Sequence, residues 1–198
     1  VVPGDQKVTL FWDDIAESSY DPISEEYDFE GYVIYRSTDP SFLDQQNITD
    51  INGSRFLFEP LRTATGGWAK WDLINDYQGP SDIPYTGRGI SYHLGNNTGL
   101  VHSFVDSNNV INGQRYFYAI AAYDHGTKIM NIGPSESSKT ITLNPETNEI
   151  FLDINTASVI PRNPSAGYRS GSWEMIDSVA FIDHVAGSGT GTFDLELL

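Results

Sequence analysis

The chain has 198 residues and a formal charge of −16, from 11 Lys and Arg against 27 Asp and Glu. Nucleic acid and anionic membrane surfaces are poor partners for such a chain, because both attract basic patches. It contains no Cys, so disulfides do not stabilise it, and no apolar run reaches the length of a transmembrane helix. The chain opens on Val1 and not on Met, so we interpret it as a processed chain or a piece of a longer protein.

Short strand patterns dominate the first 145 residues. Apolar alternation predicts a first strand over residues 7–12, with Val8, Leu10 and Trp12 on one face. Aromatic and β-branched runs predict further strands, which in chain order are residues 32–36, 102–106, 115–123 and 138–143. No pattern indicates an amphipathic helix of three turns. Several short strands with turn residues between them predict an all-β fold, an antiparallel sandwich.

An acidic loop, residues 13–30, follows the first predicted strand. Its eighteen residues hold eight carboxylates and no Lys or Arg. Carboxylates this close together repel one another when they are ionised. This repulsion must be relieved by open solvent, by raised pKa values or by a bound hard cation such as calcium. In a sandwich, the loop after the strand at 115–123 emerges at the same end as the acidic loop, so Asp124 should lie near Asp13 and Asp14. We therefore predict a calcium site, with the candidate ligands Asp13, Asp14, Asp21, Glu26, Asp28 and Asp124.

The stretch from about residue 41 to residue 101 is predicted to be a long insertion. It is rich in Gly, Pro, Asn and Asp, and it is too long for a structureless loop in a compact domain. We expect short strands near residues 55–60 and 68–73, with aromatics that fold back on the sandwich. Exposed aromatics also stack on sugar faces, so an alternative hypothesis is a glycan site formed by Trp68, Trp71, Tyr77 and Tyr85.

Residues 146–198 are predicted to be a linker followed by a second, incomplete β-segment. Residues 149–152, 178–183 and 190–197 have strand patterns, and residues 157–171 have the composition of an extended linker. Two strands alone seldom hold together in water. We therefore expect the segment from about Ala157 onward to dock on the first domain or to pair with another chain.

The strand set of residues 1–145 resembles a fibronectin type III module. Trp12 fits the Trp of the family's strand B, and residues 31–37 fit its Tyr-rich strand C. Residues 113–122 match the pattern of strand F, which makes Tyr116 the residue of a tyrosine corner. The resemblance implies that strand G lies at residues 138–143. It also implies an extracellular, multidomain and non-catalytic setting, as in large secreted or surface proteins of bacteria.

The sequence does not predict an enzyme. The four His residues are scattered, there is no Cys nucleophile, and paired carboxylates carry little information among 27 of them. We expect a structural or interaction module at the cell surface, stabilised by calcium, that serves in spacing, adhesion or assembly. Its expected partners are neighbouring domains or other copies of the protein. The alternative is a carbohydrate-binding accessory module with glycans as partners.

Overall fold

The computed structural model describes residues 1–147 and 149–167, together with the backbone of residues 173–176 and 179–182. It divides into two units, Val1–Asn163 and Pro164–Leu198. The described residues contain no α-helix, only two short 3-10 helices at Ile15–Ser18 and Leu43–Gln45. None of their helices could cross a membrane. All the paired strands are antiparallel, so the predicted all-β antiparallel class is confirmed.

The strands are numbered along the chain. Those of the first unit are β1 (Val2–Gly4), β2 (Lys7–Phe11), β3 (Phe29–Ser37), β4 (Ile48–Thr49), β5 (Arg55–Leu57), β6 (Lys70–Asp72), β7 (Pro80–Pro84), β8 (Ser91–His93), β9 (Ser103–Asp106), β10 (Tyr116–Asp124), β11 (Ile141–Leu143), β12 (Ile150–Leu152) and β13 (Thr156–Val159). In the second unit, β14 (Trp173–Ile176) pairs with β15 (Val179–Ile182).

Two larger sheets organise the first unit. One has the strand order β1-β2-β9, and the other has the order β13-β10-β3-β6. The long strands β3 and β10 form the centre of the second sheet, with Ile34 opposite Ile120. The remaining strands of this unit form three hairpins, β4-β5, β7-β8 and β11-β12.

The two larger sheets share one apolar core. Val8 and Leu10 of β2 are buried against Ile34 of β3 and Tyr118 of β10. Because side chains alternate between the faces of a strand, these residues mark the inner face of each sheet. Trp12 packs against the same cluster, in agreement with its predicted place on the inner face of the first strand.

The opposite face of the four-stranded sheet is covered by the insertion. Val33, Tyr35 and Phe117 on this face pack with Phe42 and Tyr92 of the insertion. Burial on both faces explains why the centre of β3, residues 32–35, is apolar without a break and lacks the alternation of a half-exposed strand. The prediction that the insertion folds back on the sandwich is confirmed, and β5 and β6 lie within its two predicted strand regions.

The neighbour of β10 differs from the prediction. A strand is present at β11, inside residues 138–143, but it pairs with β12. The partner of β10 over residues 116–119 is β13, of which residues 157–159 lie in the stretch predicted to be a linker, so both of these predictions were wrong. At the other end of β10, Tyr123 bridges to Glu136. The hydrogen bond from the Ile120 amide to the Asn155 carbonyl extends the β10–β13 ladder by one residue. The first unit therefore continues to Asn163 and not to residue 145.

The segment that begins at Ala157 is in part docked, as expected, because β13 belongs to the sheet of the first unit. The predicted strand at 178–183 corresponds to β15. The predicted strand at 190–197 lies outside the described residues.

A tyrosine corner is present at the start of β10. The Tyr116 hydroxyl accepts a hydrogen bond from the Ile111 amide at 3.0 Å and lies 3.5 Å from the Asn109 carbonyl oxygen. The side chain is buried. Its hydroxyl therefore ties the turn before β10 to the sheet, as the sequence predicted.

Candidate functional site

The acidic loop separates its carboxylates into distinct environments. Asp13 and Asp14 are exposed, and the Tyr32 hydroxyl donates to the Asp13 carbonyl and to Glu17 Oε1. Glu17 Oε1 also lies 2.6 Å from Nε2 of His102. Burial, Glu17 and the two aspartates together raise the pKa of Tyr32. Two of the predicted calcium ligands are therefore solvated at the edge of the sandwich.

Asp21 and Glu26 form a second group within the loop. Their backbones form an isolated antiparallel bridge, with the Asp21 amide 3.0 Å from the Glu26 carbonyl oxygen. The Asp21 carboxylate accepts the Ile23 amide at 2.7 Å, which closes a local turn.

Asp28 and Asp124 are brought close to each other across two loops. Asp28 is buried and accepts a hydrogen bond from the Ser24 hydroxyl at 3.0 Å. The Asp124 carboxylate accepts the amide and the hydroxyl of Ser135 at 2.9 and 2.5 Å. Burial raises the pKa of Asp124, and the nearby Asp28 charge adds to this effect. Asp124 was expected near Asp13 and Asp14, but the carboxylate of the acidic loop that lies beside it is Asp28.

Within the part of the chain that the structure describes, no three acidic or His side chains are grouped to hold a metal ion. The repulsion in the loop is relieved here by solvent exposure and by protein hydrogen bonds. The calcium site stays a prediction.

The aromatic residues of the predicted glycan site also separate. Trp71 of β6 lies opposite Tyr32 of β3 and points to the inner core, with its ring 6.0 Å from Trp12. Tyr77 stacks on the His125 ring, with centroids 3.7 Å apart. Trp68 and Tyr85, in contrast, line the same groove. The structure therefore keeps two of the four residues together.

The groove that holds Trp68 and Tyr85 has a volume of about 430 Å³, and we call it the aromatic groove. Its floor is the outer face of the four-stranded sheet, and its walls come from the insertion and from residues 134–139. Its aromatic lining residues are Tyr35, Phe56, Phe58, Trp68, Tyr85 and Tyr92. Such a mainly apolar groove with few polar groups has the character of a small-molecule site.

The polar groups of the aromatic groove bind one another. The Glu136 carboxylate accepts hydrogen bonds from the hydroxyls of Tyr35 and Tyr92 at 2.7 and 2.8 Å. It also accepts the Lys139 ammonium at 2.8 Å. Although burial acts to raise the pKa of Glu136, Lys139 and the two hydroxyls hold it below its usual value. Glu136 is thus an ionised anchor of the groove and not a proton donor.

Lys70 lies at the inner end of the same groove. Its ammonium is 4.0 Å from the centroid of the Tyr92 ring and 3.9 Å from that of Tyr123. It donates to the His93 carbonyl at 2.5 Å. Burial lowers the pKa of Lys70 to about 7, although nearby carboxylates, Glu136 first, act in the opposite direction. No sequence pattern indicated Lys70 or Glu136, because the tyrosines that each of them contacts come from distant parts of the chain.

No protein-family model, curated protein or solved structure matches the chain.

Proposed function

We propose that the chain is a non-catalytic structural and interaction module of an extracellular protein, built like a fibronectin type III domain. The observation that carries the proposal is the strand order, β1-β2-β9 facing β13-β10-β3-β6. It corresponds to a three-stranded sheet packed on a C′-C-F-G sheet, with β3 as strand C, β10 as strand F and β13 as strand G. The tyrosine corner at Tyr116 supports the same reading.

A non-catalytic role agrees with the chemistry of the aromatic groove. Glu136 is held ionised by three donors. A general acid or base needs a side chain that is free to exchange a proton with a substrate. The groove instead supplies fixed aromatic surfaces and a neutralised ion pair, which suit binding.

The location can be tested with antibodies against the purified chain. We expect them to label intact cells of the source organism, and brief trypsin treatment of intact cells should remove the label. Labelling that appears only after the cells are made permeable would overturn the extracellular assignment. The antibody signal from culture medium separates a secreted module from an anchored one.

A second candidate function is glycan binding in the aromatic groove. It is favoured by the shared position of Trp68, which is 38% exposed, and Tyr85, which is half-buried. Indole and phenol rings provide the flat apolar faces on which sugar rings stack. One face of Trp68 is occupied, because Arg62 lies 5.5 Å from its ring centroid.

A glycan array probed with the purified chain tests this second function. Binding should fall at least tenfold in Trp68→Ala and in Tyr85→Ala. Tyr77→Ala is the matched control, because Tyr77 stacks on His125 and does not line the groove. The glycan function would be ruled out if no glycan bound, or if Tyr77→Ala weakened binding as much as the other two variants. The structural and interaction role would then be the one proposal that remains.

A further inference from the structure

Lys70 brings an amine to the inner end of the aromatic groove. It belongs to β6 and lies directly opposite Val33 of β3, so its side chain is on the outer face of the four-stranded sheet. The residue is half-buried and lines the groove together with Tyr92 and His93. Tyr123 contacts the same amine but is not among the lining residues, so its ring lies behind the amine. A ligand in the groove therefore contacts the Lys70 side chain.

The immediate contacts of the Lys70 ammonium do not neutralise its charge. Nζ donates to the His93 carbonyl and lies 4.0 and 3.9 Å from the centroids of the Tyr92 and Tyr123 rings. No carboxylate of the described residues forms an ion pair with it. Burial without such a partner disfavours the ammonium relative to the neutral amine, and the two ring faces offset only part of this cost. The contacts thus favour a free amine near neutral pH.

Charged groups at longer range act against this effect but do not reverse it. Three carboxylates favour the charged form of Lys70, and they are, in order of their effect, Glu136, Asp72 and Glu30. The first of them is itself paired with Lys139. The pKa of His93 is lowered and those of Tyr92 and Tyr123 are raised, so these neighbours add no charge near pH 7. Burial has the largest effect, and it lowers the pKa of Lys70 from 10.5 to about 7.

Lys139 provides a comparison within the same groove. Its side chain is 14% exposed, and its ammonium lies 4.6 Å from the centroid of the Tyr35 ring. It therefore shares the burial and the aromatic contact of Lys70. It differs by its ion pair with Glu136 at 2.8 Å, which stabilises the ammonium. An ammonium has no lone pair, so Lys139 is not a nucleophile under conditions in which Lys70 is one.

The lining of the groove restricts the class of ligand that reaches this amine. The rings of Phe58, Trp68 and Tyr85 line a volume of about 430 Å³, which is the size of a small-molecule site. Flat apolar rings stack on such surfaces. The ionised Glu136 carboxylate also lines the groove, so it repels an anionic ligand. An uncharged aromatic compound therefore fits the groove better than a charged or very small one.

We propose that Lys70 is a covalent binding site for an uncharged aromatic aldehyde held in the aromatic groove. The Nζ lone pair attacks the carbonyl carbon and forms a C–N bond, while the π electrons of the carbonyl move to its oxygen. Transfer of one N–H proton to this oxygen gives a carbinolamine. The second N–H proton then leaves with the hydroxyl as water, and a C=N bond remains. One amine and one aldehyde give one imine and one water, so the step needs no oxidant or reductant, and it is stoichiometric and not catalytic.

The probe is benzaldehyde, added to the full chain at pH 7 with sodium cyanoborohydride, which reduces the imine to a stable benzylamine. Chymotryptic peptides analysed by mass spectrometry then give the rate of labelling at each lysine. The four lysines of the chain are Lys7, Lys70, Lys128 and Lys139. We expect Lys70 to be labelled at least about tenfold faster than each of the other three, because an ordinary lysine is almost fully protonated at this pH. Its rate should rise with a midpoint near pH 7, whereas the rate at the exposed Lys7 should still rise above about pH 9.

Matched comparisons assign the selectivity to the groove. The ratio of Lys70 to Lys7 labelling should fall at least about fivefold when acetaldehyde, which has no ring, or the anion glyoxylate replaces benzaldehyde. Tyr85→Ala should lower the ratio for benzaldehyde, because it removes a ring from the groove. Tyr77→Ala is the control, since Tyr77 stacks on His125 and does not line the groove.

Benzaldehyde labelling of Lys70 that is no faster than that of Lys7 or Lys139 would overturn the inference. An unchanged Lys70-to-Lys7 ratio with acetaldehyde, or an equal fall of the ratio in Tyr85→Ala and Tyr77→Ala, would also overturn it. Faster labelling of Lys70 by the reducing sugar maltose than by benzaldehyde would contradict the aromatic class. The central measurement uses the parent chain, so it does not depend on the folding of a variant. Surface labelling of cells and the glycan array test the proposed functions independently of this reaction.

Discussion

Glu30 is a buried carboxylate at the start of β3. Its Oε2 accepts the side-chain amide of Asn75 at 2.9 Å, while no described group bonds its Oε1. Burial raises the pKa of Glu30 to about 7, and the neighbouring Asp72 adds to the shift. Asp72 itself keeps a lowered pKa despite burial, because Thr98 and Asn97 donate three hydrogen bonds to it. Asp72 is thus stabilised as an anion, whereas Glu30 is not.

The Glu30 pKa predicts a specific pH dependence. A raised pKa in the folded state contributes stability below the unfolded value near 4.5, and this contribution is lost as the pH rises through about 7. Glu30→Gln keeps the acceptor for Asn75 and removes the charge. At pH 8 the variant should be more stable than the parent by on the order of 2 kcal/mol.

Urea unfolding between about pH 4 and pH 9 measures the effect. The difference between variant and parent should grow across pH 4.5–7 and stay flat above pH 8. A constant difference at all pH values would show that the Glu30 pKa is not raised. Asp76→Asn, at an exposed position, is the control and should show no such trend.

Tyr116→Phe tests the tyrosine corner. The variant loses the hydrogen bond from the Ile111 amide and retains the buried ring. We expect a loss of about 1 kcal/mol in the free energy of unfolding, the usual cost of one hydrogen bond. Tyr20→Phe, at an exposed position, is the control and should be neutral. A loss below about 0.3 kcal/mol would mean that the corner does not secure the turn.

At the scale of elements, the sequence predicts what local pattern determines. β2, β3 and β10 were predicted because their apolar and aromatic residues fit a strand over five to nine residues. β13 was missed because its four residues, Thr-Ala-Ser-Val, have no bulky alternation and Pro161 follows closely. Whether β11 or β13 pairs with β10 depends on long-range packing, which local propensity does not encode.

The candidate sites show the same limit. Trp68 and Trp71 look alike in the sequence, yet Trp71 lies opposite Tyr32 in the sheet and is directed inward. Trp68 precedes β6 and remains exposed. The density of carboxylates in the acidic loop is evident from the sequence. Their separation into three environments is not, because it depends on how the loop folds over Tyr32 and Asp124.

The assignment of β13 as the neighbour of β10 can be tested with proline. The Ile120–Asn155 hydrogen bond fixes the alternation, so the Ala157 amide points to β10 and the Ser158 amide points away. Ala157→Pro removes a ladder hydrogen bond and should cost on the order of 1–3 kcal/mol. Ser158→Pro should cost much less, because proline is tolerated where the amide of an edge strand faces outward. Equal losses measured by thermal unfolding would contradict this register.

The calcium prediction is tested on the acidic loop as an element. A ligand that binds only the folded chain at a hundredfold excess over its Kd stabilises it by about 2.7 kcal/mol. If the predicted site exists, millimolar calcium should raise the Tm by several degrees at constant ionic strength, and EDTA should reverse the rise. Asp28→Asn, at the carboxylate that lies near Asp124, should then abolish the response. An unchanged Tm in the parent chain would rule the site out under these conditions.

At the scale of the whole molecule, the central sheet of the first unit is buried on both of its faces. β3 and β10 are covered on one face by the three-stranded sheet and on the other by the insertion. The insertion therefore acts as a third layer of the first unit and not as a loop on its surface. Its removal would expose Val33, Tyr35 and Phe117. An apolar patch of this kind on a monomer leads to association.

The boundary of the first unit gives the last prediction. The unit extends to Asn163 because β13 completes the four-stranded sheet. A fragment of residues 1–163 should therefore fold cooperatively, with a Tm within a few degrees of the full chain. A fragment of residues 1–145 lacks β12 and β13, leaves residues 116–120 of β10 at a sheet edge and exposes buried Tyr118. We expect it to unfold at least 10 °C lower or to aggregate, since a long apolar edge strand is a template for association. Thermal unfolding and light scattering of the two fragments decide the matter, and equal Tm values would place the end of the unit before β12.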